Sequence, residues 1–151
     1  ASVLQCDESM INGFESVFPI ASAQYSELPD SGYFYSEVHI CELNDGSTQE
    51  EAISFLSGFT EAVSNADYSD TSYHLGNYFN TDGSGGFLWA NFTNSEESMD
   101  KANASFEANV RESMFPIFST FASCGEVPDL YHGFTLYNAE NKDFMPTFPS
   151  N

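Results

Sequence analysis

The run Tyr33-Phe34-Tyr35-Ser36-Glu37-Val38-His39-Ile40-Cys41-Glu42-Leu43, followed at once by Asn44-Asp45-Gly46 and then Ser47-Thr48-Gln49-Glu50-Glu51, decides how this chain is read. Its first part is dense in aromatic and β-branched side chains and alternates poorly, which predicts a strand largely buried on both faces. Asn-Asp-Gly is a turn signal. In the next five residues two capping boxes overlap, each with a hydroxyl that takes up a free N–H of the first helical turn and a Glu three residues on that reaches back. A helix therefore starts there. Ala52, Leu56, Phe59 and Val63 give it one apolar stripe as far as about residue 65.

Toward the C-terminus, residues 73–79 and 87–92 read as two more strands, joined by the flexible hairpin connection Asn80-Thr81-Asp82-Gly83-Ser84-Gly85-Gly86. Asn94-Ser95-Glu96-Glu97 repeats the capping logic. Met99, Ala102, Phe106, Val110 and Met114 then carry a stripe through the longest expected helix; Pro116 kinks or restarts it, and Ile117, Phe118 and Phe121 continue the apolar face toward Cys124. Residues 131–137 form the last expected strand. From residue 33 the order is strand, helix, strand, strand, helix, strand, which is the ferredoxin-like plan of the α+β class. In that plan the first and last strands are antiparallel neighbours, so Cys41 and Cys124 come together and Cys6 is left over.

Toward the N-terminus, residues 1–6 read as an extended arm and residues 7–18 as a weak helix with Met10, Phe14, Val17 and Phe18 on one side, broken by Pro19. Glu15-Ser16-Val17-Phe18-Pro19-Ile20 recurs almost unchanged as Glu112-Ser113-Met114-Phe115-Pro116-Ile117. After each copy come a Ser-containing stretch, a Pro-Asp pair and an aromatic run, so the chain carries a partial internal repeat. Both copies are expected as helices lying side by side on one sheet face. Residues 139–151, with Phe144, Met145 and Phe148, read as a C-terminal arm able to dock on a neighbouring subunit. One domain is expected over residues 1–151, with an arm and helical extension over 1–32, the ferredoxin-like core over 33–138 and the arm over 139–151.

The net charge is −20, with only Lys101, Arg111 and Lys142 against the acids, while 15 Phe, 8 Tyr and 1 Trp supply an aromatic core. Such a surface repels nucleic acid and anionic membranes, since both contacts need clustered Lys and Arg. No apolar run approaches the roughly 20 residues that cross a bilayer, so neither nucleic acid nor membrane insertion is expected. Opening on Ala1 is what cleavage of a signal peptide before a small residue would leave, so the chain is expected to be secreted, extracellular or periplasmic, and in an oxidising compartment one cysteine pair and one leftover thiol follow.

Cys41-Glu42-Leu43-Asn44-Asp45-Gly46-Ser47-Thr48, the strand Gly86-Phe87-Leu88-Trp89-Ala90-Asn91-Phe92, the following Met99, and Ser123-Cys124 ahead of His132 resemble an uncharacterised family of small secreted marine-bacterial proteins. The resemblance covers roughly residues 33–138. It implies the fold of the dimeric α+β barrels, the group that includes antibiotic-biosynthesis-type monooxygenases, and it implies no particular reaction. The chain departs from the family at both ends and in helices that lack Trp.

Chemistry-bearing constellations are sparse. His39 and His132 are expected on adjacent strands, as an acid–base or ligand pair or as ordinary strand histidines. Trp89 would line a pocket with them or pack in the core. The acidic turns at Asp45, Asp67, Asp70 and Asp82 do not match a calcium loop, and the three cysteines lack metal-ligand spacing. Asn91 and Asn103 head glycosylation sequons. No nucleophile elbow, phosphate loop or Cys-x-x-Cys occurs, so no catalytic residue, metal or cofactor is assigned. The expected function is a secreted, non-enzymatic structural protein that self-associates; the alternative is a small-molecule-binding protein or cofactor-independent oxygenase of the dimeric-barrel type.

Overall fold

In the computed structural model, residues 14–20, 33–68, 71–134, 143 and 145 are described. The elements in chain order are β1 (Phe14–Ile20), β2 (Tyr33–Leu43), α1 (Gln49–Asn65), β3 (His74–Asn80), β4 (Gly86–Thr93), α2 (Glu96–Asn109), α3 (Arg111–Phe121), β5 (Ala122–Cys124) and β6 (Asp129–Phe134). The strands form one antiparallel sheet in the order β1-β3-β4-β2-β5, with β6 also on β2. Leaving β1 aside, this is the ferredoxin-like order and the α+β class, with a fourth strand split into β5 and β6 along the two halves of β2. The sheet does not close into a barrel within the chain; β1 ends it on one side and β5 with β6 on the other.

The caps explain where the helices begin. Thr48 Oγ1 accepts the Glu51 N–H at 3.3 Å while Glu51 Oε2 accepts the Thr48 N–H at 2.8 Å, so the box closes in both directions. Ser95 Oγ accepts the Ser98 N–H at 3.1 Å and starts α2 in the same way. Gly46, at φ +84°, completes the turn between β2 and α1, where a side chain would be strained.

The helices pack on one sheet face around an aromatic core. Phe59 of α1 meets the Trp89 ring edge-on at 5.0 Å, and Phe118 of α3 meets it at 5.7 Å. Phe55 touches Phe118 and Phe121, joining α1 to α3. Pairs of this kind contribute about 0.5–1.5 kcal/mol each beyond the area they bury. The buried stripe of α1 is the expected Ala52, Leu56, Phe59 and Val63, with Phe55 beside it.

Two expectations fail. The Glu15-to-Ile20 copy of the repeat lies in a strand, not a helix: β1 pairs antiparallel with β3, Phe14 opposite Asn80 and Ile20 opposite Leu75, with a bulge between Ser16 and Phe18. The helical extension expected across residues 7–18 is thereby corrected for its last five residues, and the two copies are not symmetry mates. Pro19 is tolerated because β1 is an edge strand, where a missing N–H can face away from the ladder. The second correction concerns the long helix, which breaks at Val110 rather than Pro116; α3 then runs straight through the proline. Val110 is fully buried, and turning the chain there lets α3 fold back against α1. Pro116 is six positions into α3, so the backbone bond it forfeits is to Glu112, in the helix's first turn.

Candidate functional site

Strand register sets the side chains of the helix-covered face in transverse rows. Phe79, Phe87 and Cys41 form one row, with Cys124 at its end; Asn77, Trp89 and His39 form the next; Leu75, Asn91 and Glu37 the third. The first row is apolar and closes on the Cys41–Cys124 disulfide, which spans 83 residues of sequence. The Gly125 N–H donates to Ile40 O at 3.0 Å, which makes Cys41 and Cys124 the closely spaced, non-hydrogen-bonded pair of the ladder and accounts for their 4.0 Å Cα separation.

The second and third rows place amides and an imidazole among the aromatic rings. Asn91 Oδ1 accepts two hydrogen bonds, from the Tyr73 hydroxyl at 2.9 Å and from Trp89 Nε1 at 3.1 Å. Burial, helped by Tyr68 and Glu37, raises the Tyr73 pKa well above its ordinary value, so the phenol stays a donor. Glu37 accepts from Asn103 Nδ2 of α2 through both carboxylate oxygens, at 3.2 and 3.1 Å. This polar stripe of Tyr73, Asn77, Trp89, Asn91, His39 and Glu37 is the most chemically varied part of the sheet–helix interface. It can orient a polar group beside an indole; nothing in it activates a nucleophile.

Of the residues nominated from sequence, His39 and Trp89 are brought together as direct cross-strand partners. His132 is not with them. It lies opposite Tyr35, four residues along β2 from His39, which is about 13 Å at the rise of a strand. His132, on β6, instead joins two tyrosines of β2, sharing a 2.8 Å hydrogen bond between its Nδ1 and the Tyr33 hydroxyl and meeting the ring of buried Tyr35 edge-on. Burial, then the charge of Glu96, raises the pKa of Tyr33 and of Tyr35. His39 and His132 do lie on adjacent strands, as expected, but the register keeps them apart, so of the two readings it is the ordinary strand histidines and not an acid–base pair that the structure supports.

Trp89 packs α1 and α3 onto the sheet, as its aromatic contacts show. Asn91, read as a sequon, is a buried residue whose carbonyl oxygen is filled by two donors, so it offers no room for a glycan in the folded chain. Asn103 is exposed on α2. Asp82 Oδ1 accepts the Ser84 N–H at 2.9 Å, which lowers its pKa, and Asp45 lies in the exposed turn before α1. Among the described residues no cluster of three His, Cys, Asp or Glu side chains is placed to hold a metal ion. Cys6, Phe144 and Phe148 lie outside the described residues; Met145 is 77% exposed.

Asn77 and Tyr73 were not singled out, and Asn91 only as a sequon, because nothing in a single sequence separates a buried polar side chain from an exposed one. Alternation with Trp89 was the available signal: in a strand whose Trp faces the core, Asn91 two residues on must face it too.

The opposite sheet face has no described helix on it. Phe34 lies across Gly133 of the neighbouring strand, where a Cβ would meet its ring at 2.1 Å, and Phe92 stacks on His74 at 5.1 Å. Toward the β5 and β6 edge this face becomes bare, with Ile40 63% and Tyr131 51% exposed; Val127, in the connection between β5 and β6, is 83% exposed, and Leu130, opposite Glu37 and so on the helix side of the same edge, is 57% exposed. Among the described residues no helix is long and apolar enough to cross a membrane. Comparison with protein-family models, with curated proteins and with solved structures finds no match to this chain.

Proposed function

We propose that this chain is a secreted, non-enzymatic structural protein that works by self-association into an extracellular assembly or coat. The observation that carries the reading is the exposure of four apolar side chains, Ile40, Val127, Leu130 and Tyr131, along the β5 and β6 edge of the sheet, on a chain of net charge −20. An edge strand with apolar side chains and little charge is a template for another chain, and β6 carries only Asp129 and His132 as ionisable groups other than its tyrosine. The disulfide supports an oxidising compartment. The exposure of Met145 supports an arm whose contacts lie on a neighbouring copy.

Light scattering coupled to size exclusion, at sea-water and at low salt, tests this. The expected result is a dimer or larger particle that Leu130→Asp with Tyr131→Asp dissociates, and whose higher assembly is lost on deleting residues 139–151. A monomer at every concentration and salt would sink the reading. Unfolding of the truncated chain would place the tail in its own core instead.

A second reading, a small-molecule-binding protein or cofactor-independent oxygenase of the dimeric-barrel type, draws on the polar stripe beneath the helices. Trp89 is the only tryptophan, so its fluorescence reports on that stripe alone. Saturable quenching by one member of a panel of planar phenols would favour this reading; no response across the panel would remove it.

A further inference from the structure

Asn77 is 2% exposed and its Nδ2 has no hydrogen-bond partner among the described residues. A buried amide left this way costs about 1–3 kcal/mol, and native chains rarely leave such a group unmet. Asn77 lies directly opposite Trp89 and diagonal to Asn91, which pairs with Leu75. Diagonal neighbours across a ladder have backbones about 7–8 Å apart, so the two amides share one part of the interface, where a water can bridge polar groups that do not meet directly. The carbonyl oxygen of Asn91 is already filled by Tyr73 and Trp89, which leaves its own Nδ2 to donate.

We propose that an internal water molecule occupies the sheet–helix interface between Asn77 and Asn91, accepting from Asn77 Nδ2 and joining Asn77 to the Tyr73–Asn91–Trp89 network. The inference is independent of both functional readings. It makes Asn77 a ligand for water rather than a defect, and it explains why an amide stands in a position where Leu would fill the same space. Asn91 gives the site a polar neighbour and Trp89 an aromatic one, and a single buried water is held by two to four polar partners.

Two measurements on the folded, oxidised chain decide it. Water-selective nuclear Overhauser spectroscopy should show a cross-peak of a long-lived water with the Asn77 side-chain amide, lost in Asn77→Leu. Thermal unfolding of Asn77→Leu should show a melting temperature several degrees below wild type, because the substitution expels the water and leaves Asn91 short of its partner. A rise in melting temperature with no water cross-peak would overturn the proposal, since it would mean that the amide was unmet and its removal a relief. A fall in melting temperature without a cross-peak would overturn it as well, assigning Asn77 a packing role only.

Discussion

Breaking the Cys41–Cys124 bridge should cost more stability than any other small change to this molecule. The loop it closes covers 83 residues of sequence, and in the chain-entropy treatment a loop of that length contributes about 4.5 kcal/mol by restricting the unfolded chain. For a chain of this size each kcal/mol moves the melting temperature by about 3 °C, so the full loss corresponds to about 14 °C. The perturbation is Cys41→Ala with Cys124→Ala, made in a Cys6→Ser background so that no other pairing can form. Both single variants should fall to the same level as the double, because one bond is at stake and either change removes it. Circular dichroism at 222 nm during heating, with and without reductant, reads the effect, and reductant should move the wild type to the level of the variants. A shift below about 3 °C would refute the loop-closure reasoning. So would additive losses in the two singles, which would point to packing around buried Cys41 instead. A peptide map linking Cys6 to either partner would refute the pairing itself.

Burial holds the His74 pKa at about 4, below the unfolded value near 6.5. The unfolded chain therefore binds the proton first as pH falls, and stability drops between about pH 6.5 and 4. Partial exposure limits this to no more than about 2 kcal/mol. His74→Gln should remove that step from urea titrations taken across the window, and equal slopes in both proteins would show that His74 does not titrate as described. Thr48→Ala opens the capping box at α1 and should lower stability by about 1 kcal/mol, read as a lower urea midpoint at constant slope; an unchanged midpoint would mean that packing alone holds the helix start. With a net charge of −20, lowering the salt from sea-water strength should lower the melting temperature, because like charges then repel without screening. A flat response would show that bound cations or partner subunits already neutralise the acids.

What the sequence determined by itself is whatever depends on near neighbours. The turn at Asn44-Asp45-Gly46, the closed box of Thr48 and Glu51, the Ser95 cap and the apolar stripe of α1 are all set within one or two turns of chain, and each lies where its residues predict. The order of these elements was enough to give the ferredoxin-like plan and to bring Cys41 opposite Cys124. Register was beyond reach, because sliding a strand by two residues keeps every side chain on its face while changing its partner; hence His39 meets Trp89 and His132 meets Tyr35. The clearest case of tertiary control is the repeated segment. Glu-Ser-x-Phe-Pro-Ile is a strand in β1 and part of a helix in α3. Its intrinsic preference is too weak to choose. In the first copy the edge of β3 offers a ladder of backbone partners; in the second, buried Val110 turns the chain and Met114 and Phe121 find a core to face, and these longer-range contacts set the conformation that the six residues alone leave open.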